Sequence, residues 1–290
     1  MSAAESIAHA PANATEYIVH HLGNLTVGHG FWTLHLDTLL FSITLGVIFL
    51  YVFHRAASKA TSGVPGRFQA AVEILVDMVN DQAKNIIHHA ESRKFVAPLA
   101  LTVFVWIFLM NSMDFLPVDL LPKAGEVVGA HHLRVVPTAD LNGTLGMSLG
   151  VLLVCLYYNV KIKGVGGWAH ELVAAPFGTV HLSANPFSWI GFIVMSAVNF
   201  AMNLIEFTAK TVSHGMRLFG NMYAGELLFM LIALMGAAFA WNSTTGWVLF
   251  LVHVLAGTLW ALFHILIVAL QAFIFMMLTL VYIGQAHESH

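Results

Sequence analysis

The chain has 290 residues, 58% hydrophobic and 9% charged, with 12 Lys and Arg against 15 Asp and Glu for a formal net charge of -3. Soluble domains carry about 25% charged residues, so this composition cannot cover a water-facing surface. The charge balance excludes the basic footprint of a nucleic-acid binder. One cysteine, Cys155, excludes an internal disulfide and a Cys-rich zinc or iron–sulfur site within one chain. What remains is an integral membrane protein, expected to be all-α and polytopic.

A helix crossing about 30 Å of hydrocarbon needs about 20 mostly apolar residues. Residues 1–30 contain no Lys or Arg and are expected to form an external N-terminal tail rather than a cleaved leader. The first crossing is expected within 31–54. Residues 55–94 differ, because six of the twelve basic residues fall there: Arg55, Lys59, Arg67, Lys84, Arg93 and Lys94. In the same segment Phe68, Val72, Leu75, Val76, Val79 and Ile86 recur at helical spacing, largely opposite Glu73, Asp77, Asp81 and Lys84. That is the pattern of an amphipathic helix lying on a membrane surface. Its basic residues assign the segment to the cytoplasmic side and the N-terminus to the outside.

Residues 95–160 hold the second and third crossings, joined by an external loop, 117–143, in which Lys123 and Arg134 are offset by Asp119, Glu126 and Asp140. The KGVGG run at 163–167, Pro176 and Pro186 mark 161–186 as an irregular cytoplasmic connection. Beyond it, 187–240 and 247–283 are helix-competent for about 80 Å and about 55 Å at 1.5 Å per residue. Two arrangements satisfy these lengths. Either 187–207 and 222–240 cross separately, or one long tilted helix turns back at 241–246 to make a hairpin over 187–290. The hairpin gives five crossings and a cytoplasmic C-terminus.

Ionisable residues inside a membrane are costly and mark pathways, pumps or binding sites. Asn199, Asn203, Glu206, Lys210, Ser213, His214, Arg217 and Asn221 follow at steps of three or four, along one face of a helix. Arg217 stays protonated at any accessible pH, so it requires a carboxylate or water. Lys210 can pair with Glu206 one turn away. Glu226 lies on the opposite side of the helix from Arg217 and needs another neighbour, which His264 and Gln271 offer from the last helix. His253 lies on nearly the same line as His264. At the outer border stand Asn111, Asp114, Asp119 and Asp140, where carboxylates raise the local proton or cation concentration. Three functions compete on these residues alone: an ion channel or secondary transporter, a haem-binding subunit using His253 and His264, and a structural anchor.

The string Met216-Arg217-Leu218-Phe219-Gly220-Asn221-Met222-Tyr223-Ala224-Gly225-Glu226-Leu227 closely resembles the central motif of subunit a of F-type ATP synthases, in its bacterial form. So do Phe263-His264-Ile265-Leu266-Ile267 and Gln271-Ala272-Phe273-Ile274-Phe275-Met276. Two outer-loop strings agree as well: Asn111-Ser112-Met113-Asp114-Phe115-Leu116-Pro117, and Leu133-Arg134-Val135-Val136-Pro137-Thr138-Ala139-Asp140.

The resemblance implies a membrane stator beside a rotating ring of c subunits, with b subunits of the peripheral stalk as further partners and protons as the transported ion. It implies a bacterial inner-membrane location, surrounding lipid, no cofactor and no chemical active site of its own. It favours the hairpin, with both long helices against the ring. Under it, an outer half-channel comprises Asn111, Asp114, Asp140, Asn221, Glu226, His264 and Gln271. An inner half-channel comprises Asn203, Glu206, Ser213 and His214, with Arg217 facing a ring carboxyl between the two. The chain departs from the usual pattern where Asn203 replaces a glutamate, Thr211 replaces a proline, and 235–258 is longer.

Overall fold

A computed structural model describes residues 18, 22–28, 30, 33–61, 63–117, 120–127, 134–178, 186–237 and 243–287. Asp119 and most of the external tail lie outside them, as do His131 and His132. The elements in chain order are β1 (Thr26–Val27), β2 (Leu34–His35), α1 (Leu36–Ser58), α2 (Arg67–Ile86), α3 (Ala90–Ser112), α4 (Leu120–Val127), α5 (Leu141–Ala174), α6 (Pro186–Ala237) and α7 (Thr244–Gln285). Single 3-10 turns occupy Met113–Phe115 and Pro137–Ala139. Among the described residues, five helices are long and apolar enough to cross a membrane: α1, α3 with its 3-10 turn, α5, α6 and α7. The protein is an all-α polytopic membrane protein with one two-residue ladder, Thr26 opposite His35 and Val27 opposite Leu34.

Local chemistry explains several element ends. Asp37 in the first turn of α1 and Arg55 in the last suit the helix dipole. The Asp140 carboxylate accepts the Asn142 N–H at 3.0 Å and so caps the start of α5. Pro186 opens α6, where its missing N–H costs no helical bond. Between Pro186 and Ala237 there is no further proline, so α6 runs unbroken for 52 residues. This is the long-helix alternative, because glycines alone cost too little to stop a helix of this length. At about 1.5 Å per residue its contour far exceeds the hydrocarbon thickness.

Two expectations change. The helix of the third crossing breaks at Gly164, inside the expected irregular connection, and a second helical stretch beyond the break continues to Ala174, so much of that connection is helical. Gly164 makes the break, with φ 72 and ψ 162, a conformation that a Cβ disfavours. The external loop 117–143 also contains α4 and a 3-10 turn. The amphipathic helix is present as α2, burying Val79 and Ala83, while Phe68 and Ile74 stay more than half exposed. Large apolar side chains such as Ile43, Val47, Leu251, Leu255 and Leu262 are likewise exposed, as lipid or a partner helix requires.

The chain divides into two units. The first comprises residues 1–69, 104–143 and 218–273. There the buried Asp37 accepts the N–H of Leu25 at 2.9 Å and of Arg134 at 3.1 Å. Trp106 donates its indole N–H to the Ser42 carbonyl at 2.9 Å, across from Gly46. The end of α6 packs antiparallel to the start of α7, with His253 Nδ1 2.6 Å from the Ile232 carbonyl.

The second unit comprises 70–103, 144–217 and 274–290. In it Gly284 packs against Ile86, and Phe95 contacts Tyr158. Gly215 lets α6 approach Leu145 and the Thr144 carbonyl, 3.1 Å from where a Cβ would stand. The earlier part of α6 also runs antiparallel to the last turns of α7, since Lys210 meets Gln285 and His214 meets Phe275.

Candidate functional site

In the first unit, α3, α6 and α7 converge on a fully buried imidazole. His264 Nε2 lies 2.7 Å from Asp114 Oδ2, and the Asp114 side chain is 6% exposed. The His264 ring meets the edges of Phe115 and Phe229 at centroid distances of 5.6 and 5.1 Å. Gly225 is required here, because a Cβ at that position would overlap the imidazole and stand 3.3 Å from Asp114 Oδ2. Replacing Gly225 with Ala is therefore expected to separate Asp114 from His264. The loss shows as reduced proton pumping with membrane insertion retained; unaltered pumping would contradict this packing. Asn111, also buried, donates its amide N–H to the Val268 carbonyl at 3.4 Å.

The same unit contains a second buried pair. Arg134 Nη2 donates to Glu226 Oε2 at 2.8 Å, with side chains 8% and 9% exposed. The guanidinium also lies 5.5 Å from the centroid of the Tyr223 ring, a cation–π arrangement. The sequence offered His264 and Gln271 as neighbours of Glu226; the carboxyl that meets His264 is instead Asp114. Gln271 is buried and Asn221 is half-buried. Asp140 is held at the membrane border, with Oδ2 2.7 Å from His35 Nδ1 and 2.8 Å from the Thr38 hydroxyl. Together with its cap on α5, this anchors Asp140 firmly.

Sequence reasoning missed Arg134, His35, Asp37 and Thr38. Arg134 was counted as one base of an outer loop. Its signal was present in its flanks, Leu133 before it and Val135-Val136 after it. An arginine within an apolar run is rarely solvated.

In the second unit a cavity of about 930 Å³ is lined by α5, α6 and the last turns of α7, with Glu206, Lys210 and His214 on its wall. Lys210 Nζ lies 2.5 Å from Glu206 Oε1, the expected pairing one turn apart. It also donates to Gln285 Oε1 at 2.8 Å and stands 5.7 Å from the Tyr282 ring centroid. His214 is 2% exposed, with its ring 3.7 Å from that of Phe275. Neither of its ring nitrogens has a hydrogen-bond partner among the described residues.

The polar stripe of α6 splits at this point. Asn199 and His214 are buried, Asn203 is half-buried, and Glu206, Ser213 and Arg217 are exposed. Asn203 spends its amide N–H groups on the carbonyls of Leu172, Ala175 and Asn199, at 3.1, 2.8 and 3.1 Å. Asn199 donates to Val173, Ala174 and Gly178 and accepts the Phe177 N–H at 3.2 Å. These two side chains satisfy carbonyls left open at the end of α5. Their amide groups are thus engaged in holding helix to helix.

Among the described residues no cluster of three or more His, Cys, Asp or Glu could hold a metal ion. His253 Nδ1 lies 2.6 Å from the Ile232 carbonyl and His264 Nε2 2.7 Å from the Asp114 carboxylate.

Among the described residues, five helices long and apolar enough to cross a membrane, with two buried acid–base pairs in the first unit, define an integral membrane protein. Comparison with known proteins gives the family. Residues 39–284 match the family described as ATP synthase A chain. The chain is 62% identical to ATP synthase subunit a of Paracidovorax citrulli (strain AAC00-1), over 98% of this chain and 99% of that one. It is 62% identical to ATP synthase subunit a of Acidovorax sp. (strain JS42), with the same coverage. Against ATP synthase subunit a 1 of Methylococcus capsulatus (strain ATCC 33009 / NCIMB 11132 / Bath) identity is 50%, covering 98% of each chain. The chain belongs to the ATP synthase A chain family, subunit a of the F-type enzymes. Membership carries a general role in the membrane Fo sector, in proton transport coupled to ATP synthesis.

Proposed function

We propose that this chain is the stator against which a ring of c subunits turns, and that its two units carry the two halves of the proton path. In the outer half, Asp114 and His264 form the acid–base relay, with Asn111, Asn221, Gln271, the anchored Asp140 and the Arg134–Glu226 pair along its approach. Protons reach a ring carboxylate from this side, neutralise it and allow it to enter lipid. In the inner half, the cavity bearing Glu206 and His214, with Asn203 and Ser213 beside them, receives protons released by arriving ring carboxyls. Arg217 stands where release occurs. Its fixed charge stabilises the ionised carboxylate, and its guanidinium, unable to give up a proton, blocks a direct leak between the halves. The N-terminus lies outside and the C-terminus in the bacterial cytoplasm, by the basic residues of 55–94. The b subunits complete the stationary part.

The observation that carries this reading is the exposure of Arg217 on α6 in line with small exposed residues, Ser213 one turn before and Ala209 two turns before. Small residues let a second helix approach closely in a membrane. The test is a disulfide crosslink in the assembled enzyme, from Ala209→Cys in a Cys155→Ser background to a cysteine placed beside the ring carboxyl. An a–c product is expected. Its absence from intact complexes overturns the assignment of this face to the ring.

A further inference from the structure

The cavity wall holds a second carboxylate. On a straight helix, side chains eight residues apart are separated by about 12 Å along the axis, too far to pair. Lys163 and Glu171, both on α5, nevertheless meet at 2.7 Å. Gly164 is the reason, since its positive φ breaks the helix directly after Lys163 and folds the following turns back. Both side chains line the same cavity as Glu206 and Lys210. Lys163 is 14% exposed and Glu171 27% exposed, so the ammonium is the more withdrawn and the carboxylate keeps an open side.

A latch between turns is not what this pair supplies. The stretch from Leu172 to Gly178 is already tied to α6 by Asn199 and Asn203 through six hydrogen bonds. We propose that Glu171 is a second proton-carrying acid of the inner path, positioned by Lys163; this rests on the cavity being the inner half-channel. The ammonium holds the carboxylate at 2.7 Å while its open side faces the cavity. A proton from cytoplasmic water forms an O–H bond on Glu171. That bond then breaks toward cavity water, and the carboxylate returns to Lys163. The groups around the step are His170 and Cys155 on α5, Glu206, Lys210 and His214 on α6, and Tyr282 on α7.

ATP-driven pumping takes protons from the inner side, so uptake limits the rate when inner pH is high. In vesicles carrying the whole enzyme, Glu171→Gln is expected to lower pumping about tenfold at alkaline inner pH and far less at acid pH, with Glu171→Asp restoring most of it. A purely structural pair predicts fewer assembled complexes and an unchanged pH profile per complex, which overturns the proposal. If Glu171→Gln does not assemble, Lys163→Gln carries the test: a displaced pH profile per complex supports the proposal and a wild-type profile overturns it. Arg217→Ala measured in parallel separates the two readings. Pumping by that variant defeats the underlying function, whereas its abolition beside an unchanged Glu171→Gln profile defeats only the role of Glu171.

Discussion

Arg217→Ala is expected to abolish ATP-driven proton pumping while the chain still inserts and assembles. An ionised carboxylate at the centre of a bilayer costs about 3 kcal/mol on insertion scales, about a hundredfold in occupancy. Without a fixed cation opposite it, an arriving ring carboxyl keeps its proton and passes the stator without exchange. Arg217 is exposed on its helix, so truncation opens no core cavity and stability is little affected. The readout is fluorescence quenching of a pH-sensitive dye in inverted vesicles. Arg217→Lys is expected to rescue poorly, because an ammonium sheds its proton more readily when desolvated and lacks the planar fork that grips a carboxylate. Wild-type pumping by Arg217→Ala would end the proposed mechanism.

The second large effect is expected at Arg134. Its pair with Glu226 is buried on both sides at 2.8 Å. Breaking such a pair by removing one partner costs about 3–5 kcal/mol, whereas replacing both with uncharged groups is often neutral. Arg134→Met should therefore deplete the subunit from membranes, and Arg134→Met with Glu226→Gln should return it. Pumping should stay low in the double variant, because the outer approach has lost both its carboxylate and the charge that oriented it. Quantifying the subunit in membranes alongside the pumping rate separates the two effects. Full pumping by the double variant would reduce Arg134 and Glu226 to a structural pair.

The membrane class and the crossing helices were legible without coordinates. Hydropathy over about 20 residues is a local property, and a helical stripe such as Glu206 to Arg217 follows from one fixed rotation per residue. The Lys210–Glu206 pair was legible for the same reason, since one helical turn sets the distance. Where a helix ends was less legible. Val160 looked terminal because Lys161 and Lys163 follow it; the helix does break at Gly164, but a further helical stretch resumes beyond it and runs to Ala174. Helices can leave the bilayer without stopping, so polarity marks the membrane edge and not the helix end.

Sequence by itself determined that this protein spans a membrane and that Glu206, Lys210 and Arg217 fall along one polar stripe of α6. Only the tertiary structure decided which acid meets which base. Asp114 faces His264, and Glu226 pairs with Arg134, 92 residues away in the chain. Asn203 is drawn to the carbonyls ending α5, and Glu171 reaches Lys163 across a kink. The reason is physical: periodicity fixes an angle around one helix, whereas an ion pair depends on the separation between segments that sequence spacing does not encode.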